Sequence, residues 1–571
     1  MEKQWKISPK PNQALVENLS GELGIDEVLS SLLVQRGIRD FEQARHFFRP
    51  GLEELHDPFL MKGMEEAIRR IKQALDNDEK ILIYGDYDVD GTTSVALVYS
   101  FLRSRTDHIG YYIPDRYAEG YGISYMGIDY ASKNEFSLVI ALDCGIKAVD
   151  KIDYAKQKGI EFIICDHHFP GETLPDACAI LDPKQEECEY PYKELSGCGV
   201  GFKLLQGYCL RNGIPFAQLA DYLDLVCVSI AADLVPMTGE NRILAFHGLK
   251  RMNDNPGPGL KALIQISNCD EKVLSVSDLV FKICPRLNAA GRISSGESSV
   301  KLLVSETIRE AVELGAKIDS YNDYRKNIDG DITNEAIRLV KENETESTKK
   351  STVLYQPDWH KGVVGIVASR LIEQFYRPTV ILTRSNGMAT GSARSVDEFD
   401  LYRAVNACSD LLESFGGHKY AAGLSMPVEN VEAFKQRFEE YVSENITDNQ
   451  LVPQIKIDYE ITLDHLIPGF YRVLKQFEPF GPNNPSPVFV SRGVQETGRS
   501  RQVGRKWEHL KLSLIMKPGS NQSIEAIAFN FGHLFTEIHK GKPFDIVFSI
   551  EENTFRGNTN IQLLVKDIRI L

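Results

Sequence analysis

The sequence predicts a multidomain α/β protein: a parallel-sheet domain, a smaller α/β domain beyond a long helix, and a C-terminal β-barrel. Three observations carry this. The chain has 571 residues, too many for one core and enough for three or four domains at roughly 150 residues each. Residues 76 to about 245 alternate short apolar runs (ILIYG, HIGYYIP, SLVIALD, EFIICD) with helical patterns, the order of a doubly wound sheet. Residues 448–571 read as short strands (QIKIDYEI, PVFVSRGV, HLKLSLIM, IEAIAFNF, DIVFSI, NIQLLVKDI) separated by Gly and Asn turns, the pattern of a small barrel.

Composition narrows the class. Hydrophobic content of 43% and charged content of 25% are those of a soluble globular protein. No run of 18 apolar residues occurs, so no transmembrane helix is expected. The start, MEKQWKISPK, lacks the apolar core of a signal peptide. None of the ten cysteines forms a CxxC pair, which argues against zinc and for a reduced cytoplasm. The net charge of −15 excludes a surface coated in basic residues but leaves room for a local basic groove.

Residues 1–75 read as small amphipathic helices, with Leu29, Leu32, Leu33 and Val34, then Ala44, Phe47 and Phe48 at helical spacing. We expect them to cap the next domain by packing. Ile81 to Tyr84 is a short buried strand. It runs into three carboxylates in five residues, Asp86, Asp88 and Asp90, then Gly91, Thr92, Thr93 and an apolar helix. Crowded carboxylates repel unless a cation neutralises them. Hard oxygen ligands at a helix start suit a divalent metal beside a phosphate. Taken alone, the stretch reads equally as an acidic surface loop with an N-cap.

Two further strand ends decide between these readings. SLVIALD stops at Asp143, and EFIICDHH stops at Asp166, His167 and His168. A parallel sheet brings such ends to one edge. Asp233 is a fourth locus, at the end of the apolar helix before Pro236. Carboxylates with imidazole suit manganese, or less strictly magnesium. Bridging carboxylates hold two ions roughly 3.5–4 Å apart, the geometry of phosphodiester hydrolysis.

Beyond these motifs, Arg116 in IPDRYAEGYG follows a strand on the ligand side, where its guanidinium either meets a phosphate or stays solvated. Residues 246–350 are mainly helical. FKICPRLNAAGRI places Arg286, Asn288 and Arg292 among small residues that let backbone approach a ligand, and one long helix spans about 304–345. Its charged stretch 341–350 reads as a solvated end. Residues 351–447 return to α/β. There Ser392 and Arg394 share one side of a strand, and Gly416, Gly417 and His418 lie among small residues. Between 485 and 517 stand Arg492, Arg499, Arg501, Arg505, Lys506, Lys511 and Lys517 against only Glu496 and Glu508, with Trp507 inside the patch. A basic groove with an aromatic holds single strands by charge and stacking.

GDYDVDG, ALDCG, CDHH and SIAADLVP, in this order, resemble the four motifs of the DHH phosphoesterase superfamily. PRLNAAGR, GGHKYAAG and the C-terminal barrel narrow the resemblance to the RecJ family, over essentially the whole chain. The resemblance implies an N-terminal cap (1–75), a DHH catalytic domain (76–245), a helical linker (246–350), a DHH-associated domain (351–447) and an OB-like nucleic-acid-binding domain (448–571). It implies a metal-dependent exonuclease that degrades single-stranded DNA from the 5′ end, acting in DNA repair and recombination. Asp86, Asp88, Asp90, Asp143, His167 and Asp233 would hold two divalent ions, Mn2+ or Mg2+, with Asp143 bridging. His168 and Arg286 would meet the reacting phosphate, and Asp166 would orient a histidine. Ser392 and Arg394 would take the 5′ phosphate, His418 the nucleotide backbone, and Arg116, Asn288, Arg292, Gly416 and Gly417 the rest of the substrate. Arg499, Arg501, Arg505, Lys506, Trp507 and Lys511 would hold the strand. The family implies a helicase and a single-strand-binding protein as partners of a cytoplasmic monomer, with no membrane association. Tyr84 stands where some members carry a histidine, which leaves one metal's ligand set open. Two other readings are a superfamily phosphodiesterase acting on short oligonucleotides or cyclic dinucleotides, and a non-catalytic replication scaffold. Chain length argues against the first and four unbroken motifs against the second.

Overall fold

The computed structural model describes residues 3–343, 348–516, 523–555 and 558–571. Five strands, Ile81–Gly85, Ile109–Tyr112, Leu138–Leu142, Glu161–Cys165 and Ala179–Leu181, form one wholly parallel sheet. Ile109–Tyr112 lies at one edge, and the other four follow in chain order. The strand order therefore reverses beside Ile81–Gly85, and open α/β sheets bind ligands outside the strand ends at such a switch point. Ile81–Gly85 and Leu138–Leu142 are buried throughout because helices cover both faces. This is why they read as continuous apolar runs rather than alternating ones. Helices Val89–Arg103, Gly197–Asn212 and Leu223–Ala232 pack on one face, and Tyr125–Lys133 and Val149–Gln157 on the other.

The helices that follow are not a separate linker. Leu260, Leu279, Leu302 and Ile318 share the core of the parallel sheet. The long helix runs Ile308–Glu342. Its far end (Ile332, Ala336, Val340) packs instead with helix Val364–Phe375 of the second unit. Of the charged stretch 341–350, residues 344–347 lie outside the described residues. The second unit carries a mixed sheet in the order Ser414–His418, Ala421–Pro427, Met388–Arg394, Thr379–Ser385, Thr352–Tyr355.

The C-terminal unit is a closed barrel. Phe489–Glu496 pairs with Phe544–Phe555, which pairs with Asn558–Ile570, then Ile524–Ala528, then His509–Ile515. His509–Ile515 returns to the first strand through Gln495 and Glu496. Closure leaves that ring without free edges. Arg501–Val503 extends it as a hairpin on His509–Ile515.

The N-terminal helices correct one expectation. Leu19, Leu29, Leu32, Leu33 and Ala44 pack into the barrel's core, not onto the parallel-sheet domain. Leu52, Leu55, Phe59, Met61 and the helix Met64–Asp76 do join the latter. The strand Gln4–Ile7 also pairs with Gln454–Ile457 beside the barrel. Buried Arg242 fixes this assembly to the parallel-sheet domain by donating to the carbonyls of Phe47, Phe477, Glu478 and Pro479. Among the described residues, no helix is long and apolar enough to cross a membrane.

Candidate functional site

The C-terminal edge of the parallel sheet gathers the carboxylates. Asp86 is fully buried; its Oδ1 accepts from the Gly122 N–H at 3.1 Å. Its Oδ2 has no hydrogen-bond partner among the described residues. Asp88 caps helix Val89–Arg103, accepting from the Gly91 N–H at 3.0 Å. Asp90 is held by three donors: the N–H groups of Gly197 (2.7 Å) and Cys198 (2.8 Å), and the Ser229 hydroxyl (2.7 Å). Two of these are free N–H groups at a helix N-terminus, which favour an anionic partner. Neither Ser229 nor this helix start was anticipated; the glycine-rich SGCGVG run at 196–201 was the available signal.

Two glycines make the crowding possible. A Cβ on Gly91 would lie 2.4 Å from the Asp86 carbonyl oxygen, and one on Gly197 would lie 2.6 Å from the Asp143 Cβ. Asp143 has φ +58°, a left-handed conformation that non-glycine residues rarely adopt and that clusters at functional sites. His167 Nε2 faces Asp143 at 3.2 Å, Asp233 at 3.6 Å and Asp90 at 3.7 Å. Two donor triads result, Asp143–His167–His168 and Asp90–His167–Asp233, each with all donors within 4.8 Å of one another. His168, expected only at the phosphate, therefore also stands among the donors.

The electrostatics are those of a site short of positive charge. Burial first, and then neighbouring carboxylates, raise Asp86, Asp88 and Asp143, and push Asp233 up to about 8. Burial pushes His167 down, towards the neutral imidazole that ligates metal. Asp166 goes the other way. Burial would raise it, but the His168 ring at 2.7 Å and the Ile146 N–H hold it at about 2. His168 is raised in turn by Asp166, against its own burial. The orphaned Asp86 oxygen and the mutually repelling carboxylates, with imidazole beside them, fit hard divalent cations.

Tyr84 does not stand in for a ligand. Its ring lies in the core on the opposite face of the sheet, stacked on Tyr112. Its hydroxyl donates to the Gly122 carbonyl and accepts from the Ser124 N–H. It thus holds the loop whose Gly122 N–H reaches Asp86. Asp182, also unanticipated, ends the edge strand Ala179–Leu181 and carries a buried oxygen without a partner among the described residues. Tyr121 was likewise missed; its hydroxyl contacts the Asp143 carbonyl and the His168 ring.

A second cavity, of about 670 Å3, lies between the two α/β units. Arg116, Arg292, Lys361, Ser392, Arg394 and Gly416 are among its lining residues, and no carboxylate is. Arg394 donates to Ser392 Oγ at 2.7 Å, and Arg292 to the Gly362 carbonyl at 2.7 Å. Arg116 lies over the Tyr87 ring, which joins this pocket to the acidic loop. Gly417, at φ +147°, would drive a Cβ to 2.3 Å from the Ala421 carbonyl oxygen, so it shapes the turn itself. His418 is exposed at the end of strand Ser414–His418. Asn288 is half-buried on helix Cys284–Ile293.

Arg286 is a correction. It is committed to Asp319 of the long helix (2.8 Å) and to the Lys282 carbonyl (2.7 Å), not to the carboxylate cluster. The small residues of its segment also serve another purpose. A Cβ on Gly291 would lie 2.6 Å from the Tyr87 carbonyl oxygen, so the approach is to the acidic loop and not to a ligand. In the barrel domain, Trp507 is 63% exposed, and Phe529 is exposed as well. Arg501 and Lys511 are cross-strand neighbours. Arg505 and Lys506 precede Trp507 in the turn, and Arg499 lies just before the hairpin strand. Arg492 is paired with Glu460 and Asp545, and Lys511 with Glu525. Lys517 lies outside the described residues.

Comparison with known proteins finds relatives across the chain. Models of the DHH family N-terminal domain, the DHHA1 domain and the RecJ OB domain match residues 80–230, 348–444 and 457–567. The chain is 38% identical to the single-stranded-DNA-specific exonuclease RecJ of Bacillus subtilis, over 99% of this chain and 71% of that protein. It is 33% identical to the Escherichia coli protein of the same name, over 95% of each. The crystal structure of RecJ from Thermus thermophilus in complex with Mn2+ superposes with a TM-score of 0.84 at 27% identity, covering 99% of this chain and 79% of that one.

Proposed function

The chain belongs to the RecJ family, and from that premise we propose that it is a single-stranded-DNA-specific 5′→3′ exonuclease. It hydrolyses phosphodiester bonds with two divalent cations, Mn2+ or Mg2+, in DNA repair and recombination. The observation that carries the reading is the adjacency of two complementary sites, a cation-hungry carboxylate cluster and an acid-free basic pocket, joined through Tyr87 and Arg116. Asp86, Asp88, Asp90, Asp143, His167 and Asp233 would hold the cations, and His168 would join them. The bound cations supply the charge that lowers a water's pKa and neutralises a phosphate.

The protein's own groups do the rest. Asp166 fixes the His168 ring through Nδ1, so that Nε2 is presented to the cleft beside Tyr121. Gly197, Cys198 and Ser229 hold the Asp90 carboxylate in its orientation by donating to its two oxygens. Ser392 and Arg394 take the 5′ phosphate with Arg116 and Arg292, which sets where the strand is cut. The exposed Trp507 with Arg499, Arg501, Arg505 and Lys506 holds the strand beyond. The protein acts in the cytoplasm as a monomer, with a helicase and a single-strand-binding protein as partners.

The test uses the purified protein with Mn2+ on a single-stranded oligonucleotide in 5′-phosphorylated, 5′-blocked and duplex forms, with Asp143→Ala as control. Mononucleotides should leave the free 5′ end, and neither the variant nor the blunt duplex should yield any. Activity confined to dinucleotides or cyclic dinucleotides would refute the exonuclease reading while keeping the metal site.

A further inference from the structure

On the barrel side of the carboxylate cluster lies a separate, apolar recess of about 300 Å3, lined among others by Leu234, Val280, Phe281, Pro479, Phe480 and Pro482. That volume is at the low end for pockets that enclose a small organic ligand. Two of its walls are costly to build. Leu234, next to Asp233, is 57% exposed and has φ +55°. A leucine has no local hydrogen bond to offset that left-handed backbone. Phe281 is 75% exposed. It projects from Leu279–Ile283, a stretch of π-helix, and such stretches are rare and frequent at functional sites. A left-handed residue and a π-helical stretch thus hold two large apolar side chains out into solvent beside a proposed metal ligand.

The recess also has a defined position relative to the basic pocket. Leu279–Ile283 leads without a break into helix Cys284–Ile293. Arg292, at the far end of that helix, lines the basic pocket, and Phe281, at the near end, lines the recess. Eleven residues at 1.5 Å each separate them, or about 16 Å. Between these ends the helix packs against both carriers of the carboxylates. Gly291 meets the Tyr87 carbonyl, and Cys284 meets the Val228 carbonyl of the helix that ends at Asp233.

We infer that the recess receives an unpaired nucleobase, that of the nucleotide immediately 3′ of the scissile phosphate. Phe281 supplies a stacking face and Leu234 the opposing wall. The inference rests on the exonuclease reading and deepens it. With the 5′ phosphate among Arg116, Arg292 and Arg394, the strand passes the carboxylates and reaches Leu234 next. A base lodged between Phe281, Leu234 and Pro479 has no room for a Watson–Crick partner. The recess therefore excludes duplex at the cut itself, independently of the basic patch around Trp507.

The test compares wild type and Phe281→Ala on 5′-phosphorylated single strands carrying one abasic residue at successive positions. Phe281 is mostly exposed, so the variant should fold. Wild type should lose about tenfold in kcat/KM, the scale of one lost stack, when the abasic residue sits just 3′ of the cut, and much less elsewhere. Phe281→Ala should lose a similar factor on the intact strand and then be indifferent to that abasic position. Phe281→Trp should restore the discrimination. The same abasic profile in wild type and Phe281→Ala would overturn the inference. A wild type that binds strands without cutting them would overturn the exonuclease reading instead, and the same comparison read as equilibrium affinity would still decide the recess.

Discussion

Gly197→Ala is the most informative single change in the metal centre. The new Cβ would stand 2.6 Å from the Asp143 Cβ, 2.8 Å from its Oδ1 and 2.9 Å from its Cα. Carbon atoms rest at about 3.5–4.0 Å, so Asp143 must retreat by about 1 Å. Its neighbours leave little slack, because Asp143 is buried and already in the left-handed region. Overpacking of this kind costs about 1–3 kcal/mol, against which replacing a helical glycine by alanine returns at most about 1 kcal/mol. The net loss of stability is therefore small, while a displacement of about 1 Å in a catalytic group costs on the order of 100-fold in rate. Gly199→Ala is the matched control. It lies on the same helix, and its Cβ meets nothing closer than 3.4 Å. The assay is hydrolysis of a 5′-phosphorylated single strand as Mn2+ is titrated, with thermal melting in parallel. Gly197→Ala should lose roughly two orders of magnitude in kcat and most of its Mn2+-induced rise in Tm, while Gly199→Ala behaves as wild type. A Gly197→Ala protein with normal turnover and normal Mn2+ dependence would refute the placement of Asp143 at the centre of the cluster.

Four further outcomes follow from the geometry. Arg286→Ala breaks the contacts to Asp319 and the Lys282 carbonyl; it should lower stability by about 1–3 kcal/mol with kcat unchanged, whereas Arg394→Ala should raise KM for 5′-phosphorylated strands at unchanged Tm. Asp143→Asn in metal-free protein should raise Tm at about pH 8, because it removes a carboxylate that is buried and crowded by Asp90, Asp88 and Asp233; the rise in Tm on adding Mn2+ should disappear with it, and an unchanged rise would exclude Asp143 as a ligand. Burial pushes Asp182 up to about 7, so the folded state binds a proton that the unfolded chain releases near pH 4, and wild-type stability falls between about pH 4 and 7; Asp182→Asn keeps the bond from the Lys184 N–H, so its Tm advantage should widen across that window and then level off, and a gap independent of pH would contradict the assignment.

What the sequence determined was whatever depends on short-range order. Apolar runs ending in Asp86, Asp143 and Asp166 are read directly, because a parallel strand buried on both faces is apolar throughout and its ligand-bearing residue comes immediately after. The long helix was legible from its periodicity, and the barrel from its short alternating strands. What only the tertiary structure decided was which groups meet across large separations. The Asp90 carboxylate is held by Gly197, Cys198 and Ser229, more than a hundred residues away. Nothing local to a serine inside an apolar helix marks it as a partner. Arg286 and Arg292 lie six residues apart in one segment and read alike, yet the helix turns one towards Asp319 and the other towards the basic pocket. The N-terminal helices pack with the barrel because Gln4–Ile7 pairs with Gln454–Ile457 and Arg242 gathers carbonyls from Phe47 and Phe477. An amphipathic helix shows that it must bury one face, and its sequence does not say against which partner.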